Sequence, residues 1–215
     1  HTRYRFVTGV QTCALPIFTM AITAALGACV GLVSGFFRNR IDDVLMRICD
    51  VMMSFPSEVM ILAIVGMMGP GLENVVIANV VAKWPWYARM VRSIVRQYSD
   101  KDYIRFAKVA GGSSIRIMMR HLLPGTAGEL FVLTTLDTGS VILMISALSF
   151  LGLGVQPPTP EWGMMLNEAK EVMTMYPLQM IPAGMAILLV VAAFNFLGDS
   201  LRDAFDPKHA GRERS

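Results

Sequence analysis

The feature that most constrains this fold is a series of apolar runs long enough to cross a lipid bilayer. Runs 18–37 and 178–198 contain no charged residue. A bilayer core about 30 Å thick is crossed by roughly 20 residues of α-helix. Both runs therefore predict membrane-spanning helices.

Three further runs are apolar but contain ionisable residues: 51–72 with Glu58, 130–155 with Asp137, and 75–91 with Lys83 and Arg89. Pro56 can kink the first of these runs. The whole chain is 54% hydrophobic and 16% charged, with a mean hydropathy of +0.52. Soluble domains contain fewer apolar and more charged residues. We therefore expect an all-α, polytopic membrane protein with five transmembrane helices.

Basic residues lie mainly on one side of the topology that five alternating spans would produce. Segments 38–50 and 92–125 and the residues after Leu201 share that side, and together with Arg89 they contain 15 Lys or Arg residues. After residue 17, the other side has only Lys170. Because basic loops stay in the cytoplasm, we expect a multi-pass protein with a cytoplasmic C-terminus.

The first 17 residues differ from the rest of the chain, because Arg3 and Arg5 fall on the side opposite the other basic residues. One interpretation is a signal peptide, in which basic residues precede an apolar core. No small-residue cleavage site follows, however. We interpret 1–17 as an atypical stretch that is non-native or truncated. A membrane domain at 18–208 and a cytoplasmic tail at 209–215 follow it.

Residues 99–125, called the basic segment below, predict two short helices joined by a turn. Ser99 is a suitable N-cap for the first helix, and Gly111 and Gly112 permit a sharp turn. Pro124 would limit the second helix. Such a segment can attract anionic lipid headgroups or dock on a protein. The glycine break favours docking, since a loop that contacts only lipid does not need it.

The spacing within the basic segment is specific. Arg105-Phe106-Ala107 is followed after three residues by Gly111, and after nine more by His121, with Leu123-Pro124 at the end. This pattern resembles the EAA loop of ATP-binding-cassette (ABC) importer permeases. Arg105, Phe106 and His121 stand where the family has Glu, Ala and Ile.

Three other stretches resemble the permease subunits of dipeptide, oligopeptide and nickel importers in order and spacing. They are WPWYARMVRS at 84–93, ALSFLGLGVQPPTPEWGMML at 147–166 and FNFLGDSLRDAFDP at 194–207. The second leads into an external loop, 154–177, in which a proline-rich start precedes a short helix too polar to span the membrane.

The resemblance implies an ABC type I importer permease of six helices, five of them present here, with an EAA-like cytoplasmic coupling helix. Such a subunit lies in the bacterial inner membrane among lipids. It works with a second homologous permease, two cytoplasmic ATPases and an extracytoplasmic substrate-binding protein, and with no nucleic acid. The chain has no GxxxxGK[ST] phosphate loop, so we expect no catalytic residue, cofactor or metal site in it.

The resemblance also implies which residues contact the ATPase. Ala107 and Gly111 would permit close approach, Ile104 and Ile115 would supply apolar contact, and Pro124 would end the element. The full set of predicted coupling residues is Ile104, Ala107, Gly111, Gly112, Ile115 and Pro124.

Asp137 is the candidate residue of the translocation path, because ionisable groups within a membrane are costly and often functional. It could instead be a structural carboxylate satisfied by Thr134, Thr135 or a partner subunit. We expect nickel, a nickel chelate or short peptides as cargo, and "LDTG" at 136–139 is closer to the nickel type. Dipeptide or oligopeptide import is the alternative. A proton-coupled secondary transporter that uses Asp137 is a more remote one.

Overall fold

The computed structural model describes the backbone of residues 2–205 and the side chains of residues 13–205. The predicted tail 209–215 lies outside these residues. Every regular element within 2–205 is helical. The helices are α1 (Thr2–Phe37), α2 (Arg40–Met53), α3 (Ser57–Met68), α4 (Leu72–Ser99), α5 (Asp102–Val109), α6 (Ser114–Ile117), α7 (Leu123–Phe150), α8 (Trp162–Glu171) and α9 (Met180–Phe205), with a π turn at Met118–Leu122 and a 3₁₀ turn at Pro177–Gln179.

Three helical stretches within the described residues are long and apolar enough to cross a membrane. They are Cys13–Phe37, Ser114–Phe150 and Pro177–Phe205. These stretches contain or largely coincide with the predicted runs 18–37, 130–155 and 178–198. A fourth span results if α2 and α3 are counted as one bent span.

The predicted run 51–72 is broken at Pro56, where the sequence predicts a kink. α2 ends at Met53 and α3 begins at Ser57, and the two helices meet at 81°. Pro56 lies between them, where it has no N–H to donate and disfavours helical backbone at Phe55. The 12 residues of α3 rise only about 18 Å, so α3 alone does not cross a core about 30 Å thick.

α4 covers the predicted run 75–91 but does not qualify as a span by length and composition. The fifth transmembrane helix therefore stays a prediction. With 28 residues, α4 is about 42 Å long, which is enough to span. Its apolar face is buried in the bundle, and several of its basic residues pair with acidic residues of other helices.

The main core is shared by α1, α3, α4 and α7. Its buried members are Met20, Ala24, Ile61, Val65, Val75, Ala78, Ala82, Tyr87, Val141, Ile145 and Leu148. A second cluster attaches the basic segment to α1 and α4. Its buried members are Ala28, Leu32, Val91, Val95, Ile104, Ile117, Met118 and Leu122.

α1 and α4 pack closely because glycines of α1 face α4. A Cβ on Gly31 would lie 2.6 Å from the Ala88 carbonyl oxygen and 2.7 Å from the Val91 Cβ. Small residues at a helix interface allow the two backbones to approach. This close backbone contact holds α4 against α1.

The predicted short helix of the loop 154–177 is present as α8, which packs against α7 and α9. The buried carboxylate of Glu161 caps it, since Oε2 accepts from the Met164 N–H at 3.0 Å. The Ser146 hydroxyl donates to Oε1 at 2.9 Å. Glu161 therefore links the start of α8 to α7.

Candidate functional site

The turn predicted at Gly111 and Gly112 is confirmed. The Gly112 N–H donates to the Ala107 carbonyl at 3.0 Å, and the Gly111 N–H donates to the Lys108 carbonyl at 3.1 Å. Gly111 has a φ of +78°, as expected after a helix that ends in this pair of bonds. A Cβ on Gly112 would lie 2.8 Å from the Ala107 carbonyl oxygen, so both glycines shape the turn.

The first helix of the basic segment begins later than predicted. Ser99 is the last residue of α4, and Lys101 occupies the N-cap position of α5. The prediction of Ser99 as N-cap is therefore wrong. α4 ends with Asp100 at its C-cap, and α5 starts immediately after Lys101.

Pro124 does not end the second helix, so that prediction is also wrong. α6 continues through the π turn into α7, which makes Ser114–Phe150 one stretch of 37 residues. Pro124 lies in the first turn of α7, where the absence of an N–H is tolerated. The Leu123 N–H donates five residues back to the Met118 carbonyl, so the helix widens just before the proline.

Ile104 is not available for contact with a partner. It is fully buried against α1, α4 and Ile117, which corrects its predicted role. The exposed apolar side chains of the basic segment include Phe106, Val109 and Ile115, which are 73%, 88% and 70% exposed. We call these three residues the apolar tip. α5 has eight residues and carries apolar side chains on both faces. Its sequence therefore does not indicate which face is buried.

The base of the basic segment is tied to the end of α1. The Arg38 guanidinium lies 3.1 Å from Asp100 and donates to the Arg96 carbonyl at 2.8 Å. The hydrogen bond from Arg38 holds the pKa of the Asp100 carboxyl below its usual range. The Lys108 ammonium lies 4.8 Å from the centre of the Phe36 ring. The segment is thus attached by buried apolar contacts and by charged groups.

A buried carboxylate, Asp42, connects three helices beside this base. It is 2% exposed and accepts from Arg92 Nε at 2.5 Å and from Arg92 Nη2 at 2.7 Å. Arg96 and the Ser34 hydroxyl also donate to it. Bidentate hydrogen bonds from an arginine to a carboxylate are strong and directional. Asp42 therefore fixes α2 against α1 and α4.

Asp137 pairs with a basic residue of α4. The Lys83 ammonium lies 2.8 Å from Asp137 Oδ1 and 2.9 Å from Oδ2, and the Tyr87 hydroxyl donates to Oδ2 at 3.1 Å. The hydroxyls of Thr134 and Thr135 donate instead to the Phe131 carbonyl. The proposed threonine partners of Asp137 are therefore wrong.

The Lys83–Asp137 pair lies in the wall of a cavity of about 560 Å³ between α4, α7 and the junction of α2 and α3. The two side chains are 17% and 23% exposed. The cavity is lined by Met52, Met53, Phe55, Pro56, Ser57, Glu58, Ala82, Lys83, Trp86, Tyr87, Leu133, Leu136, Asp137 and Ser140. Its volume falls within the range of small-molecule sites, roughly 300–1,000 Å³.

Sequence reasoning treated Lys83 only as an interruption of an apolar run and did not identify Asp42 or Glu161. Lys83 could have been found, because opposite charges in two apolar runs are each costly unless they pair. The sequence gives no comparable indication that Asp42 is paired, because its segment contains other acidic and basic residues and a charge there is not unusual. Within residues 13–205, no group of three or more His, Cys, Asp or Glu residues is arranged to hold a metal ion.

Residues 27–210 match a family described as binding-protein-dependent transport system inner membrane component. The chain is also similar to a solved structure of the MetNI methionine ABC transporter in inward-facing conformations. The TM-score is 0.65 at 15% identity, over 94% of this chain and 98% of that one. At this identity the similarity shows a shared fold.

Three curated relatives are similar in sequence over most of this chain. The metal-staphylopine import system permease protein CntC of Staphylococcus aureus is 44% identical over 174 residues, or 81% of this chain and 60% of that protein. The nickel transport system permease protein NikC of Escherichia coli is 40% identical, over 92% and 69%. The glutathione transport system permease protein GsiD of Escherichia coli is 43% identical, over 96% and 69%. The chain thus spans between 60% and 69% of the length of these relatives.

Proposed function

Since the chain belongs to the family of binding-protein-dependent transport system inner membrane components, we propose that it is a permease subunit of an ATP-driven importer. Its proposed cargo is nickel, a nickel chelate or a short peptide. The named relatives import nickel, metal-staphylopine or glutathione. These cargoes do not separate the nickel and peptide alternatives, because both kinds occur among the relatives.

The proposed importer contains this chain, a second homologous permease, two cytoplasmic ATPases and an extracytoplasmic binding protein. ATP hydrolysis takes place on the ATPase subunits, and this chain has no catalytic role. The binding protein delivers the cargo from outside, and the C-terminus of this chain lies in the cytoplasm. Asp137 lies on the path of the cargo, in the wall of the cavity.

The basic segment is the proposed contact with an ATPase, and the observation that carries this proposal is its apolar tip. Phe106, Val109 and Ile115 are exposed on an element whose other face is buried and tied to α1 and α4. Ala107, Gly111 and Gly112 form the turn that shapes the tip. Ile104 and Pro124 act within the protein, as the buried anchor and as the start of α7.

A firmly attached element can transmit movement. An ATPase that holds the tip and shifts on nucleotide binding would move the stretch Ser114–Phe150 as one unit. Displacements of packed helices are a common means of switching between two states. We propose that this movement changes the side of the membrane to which the cavity opens.

The first prediction tests this contact with Val109→Glu. A carboxylate in an apolar contact is costly when it is desolvated without a partner. We expect ATP-driven uptake by the importer reconstituted in liposomes to fall at least about tenfold, since about 1.4 kcal/mol already corresponds to that factor. Uptake and ATP hydrolysis are measured together on the same preparation.

The matched control is Met175→Glu, which adds the same charge to another highly exposed apolar position in the loop 154–177. We expect this variant to keep wild-type coupling between ATP hydrolysis and uptake. Wild-type uptake by Val109→Glu would contradict the proposed contact.

The proton-coupled alternative is not favoured by the structure. It would use Asp137 as a carboxylate without a basic partner, whereas this carboxylate accepts from both Lys83 and Tyr87. Membership of a binding-protein-dependent family also argues for ATP-driven import.

A further inference from the structure

The Lys83–Asp137 pair is placed unlike a pair that only fastens two helices together. Both side chains line the cavity wall and remain partly exposed to it. α4 is already held by its close contact with α1 at Gly31 and by the Asp42 bonds to Arg92. Contacts other than the pair therefore also position α4, and the groups of the pair are accessible to a molecule in the cavity.

The charges around the cavity restrict the molecules that can use this access. In a medium of low dielectric, removing one partner of an ion pair leaves the other charge uncompensated, which is unfavourable. A ligand with one charge would compensate either Lys83 or Asp137 and leave the other alone. A ligand with both a carboxylate and a positive centre can compensate both when the pair opens.

Glu58 adds a second carboxylate to the lining, at the start of α3. Its Oε1 accepts from the neighbouring Ser57 hydroxyl at 3.0 Å. With one ammonium and two carboxylates, the lining has a net charge of −1. This net negative charge favours a ligand whose positive charge is at least as large as the negative charge of its carboxylate. The apolar and aromatic remainder of the lining, which includes Trp86, suits the uncharged part of such a ligand.

We propose that Lys83 and Asp137 form a charge-exchange site for a ligand that carries a carboxylate beside a positive centre. The ligand carboxylate binds Lys83, and the positive centre binds Asp137 with Glu58 nearby. Two sources share this chemistry: the free termini of a short peptide, and a metal ion chelated by amino and carboxylate groups. The inference rests on the proposed function and names the part of this chain that contacts the cargo.

The test measures equilibrium binding to the importer assembled from the full chain and its partner subunits, without the extracytoplasmic binding protein. The probes are radiolabelled alanyl-alanine, radiolabelled nickel bisglycinate, and the neutral N-acetyl-alanyl-alanine amide. We expect Lys83→Met and Asp137→Asn each to weaken at least one charged probe by about tenfold or more, as expected for a lost charge-assisted bond. The probe that weakens identifies the peptide or the chelate as the source.

Lys170→Met is the matched control, because Lys170 is exposed on α8 and lies outside the cavity lining. It should bind both charged probes like the wild type. The wild type should bind the neutral dipeptide at least about tenfold more weakly than whichever charged probe binds more tightly, and this comparison needs no variant to fold.

Three results would overturn the proposal: binding of the neutral dipeptide equal to that of the tighter charged probe, unchanged binding by both single variants, or wild-type binding restored in Lys83→Met/Asp137→Asn. The last would mean that the pair only fastens α4 to α7. None of these results affects ATP-driven uptake by the wild-type importer with its binding protein. Absence of that uptake would instead contradict the proposed function.

Discussion

At the scale of single residues, Asp42 holds three helices together where the basic segment meets the bundle. Its carboxylate accepts bonds from Ser34 of α1 and from Arg92 and Arg96 of α4. Because it is almost fully buried, its removal would leave arginine charges without a partner. The stability of this region therefore depends on one short side chain.

The second prediction is that Asp42→Ala lowers the free energy of unfolding by about 3–5 kcal/mol, the usual cost of removing one partner of a buried ion pair. Denaturant titration of the purified chain in detergent micelles measures this change. The neighbouring Asp43 is exposed, so Asp43→Ala should stay within about 0.5 kcal/mol of the wild type. Equal losses in the two variants would contradict the role of Asp42.

The geometry of the pairs formed by Asp42 and Asp137 with basic residues could not be predicted from the sequence, although Asp137 was identified and Lys83 could have been proposed as its partner. Their partners lie 50 or more positions away in the chain, and the pairing depends on how the helices rotate against one another. Local patterns contain no information on that rotation. Ile104 shows the same limit, since its apolar character was recognised and its burial was not.

At the scale of helices, close contact between α1 and α4 organises the bundle. Gly31 leaves no space for a side chain between the two backbones, and a Cβ on Gly35 would lie 2.8 Å from Val95 Cγ1. Because α4 also contributes Lys83 to the cavity and Arg92 to the Asp42 network, its position controls both features.

The third prediction concerns this contact. Gly31→Leu should separate α1 from α4 and destabilise the chain by about 1–3 kcal/mol, as overpacking does elsewhere, with a lower midpoint of thermal unfolding in detergent. Gly184→Leu on α9 is the control, because a Cβ there meets no atom within 4 Å. A midpoint for Gly31→Leu equal to that of Gly184→Leu would show that the interface is more open than described.

The elements were predictable where one strong local signal determines them. The long apolar runs predicted α1, α7 and α9, and the glycine pair predicted the turn after α5. The passage of the helix through Pro124 was not predicted correctly, whereas Pro56 was expected to kink its run and does separate α2 from α3. A proline can either end a helix or be accommodated, and the outcome depends on how the flanking turns pack.

At the scale of the whole molecule, the basic segment and the loop 154–177 flank opposite ends of α7. The excess of basic residues predicts that the end with the basic segment lies in the cytoplasm.

The fourth prediction is that Ala110→Cys is protected in intact cells and Thr174→Cys is labelled by a membrane-impermeant thiol reagent. Both positions are exposed, and each cysteine is introduced after Cys13, Cys29 and Cys49 are replaced by alanine. After the membrane is permeabilised, Ala110→Cys should also react. Labelling of Ala110→Cys alone in intact cells would reverse the proposed orientation.

The helix is continuous between the π turn and Asp137, so insertions or deletions in this interval would reorient the Asp137 side chain. Each residue inserted into a helix rotates everything beyond it by about 100°, so one insertion between Leu123 and Asp137 would turn the carboxylate away from Lys83. Seven inserted residues would nearly restore its direction but would shift it about 10 Å along the axis. This interval should therefore tolerate substitutions far better than insertions or deletions.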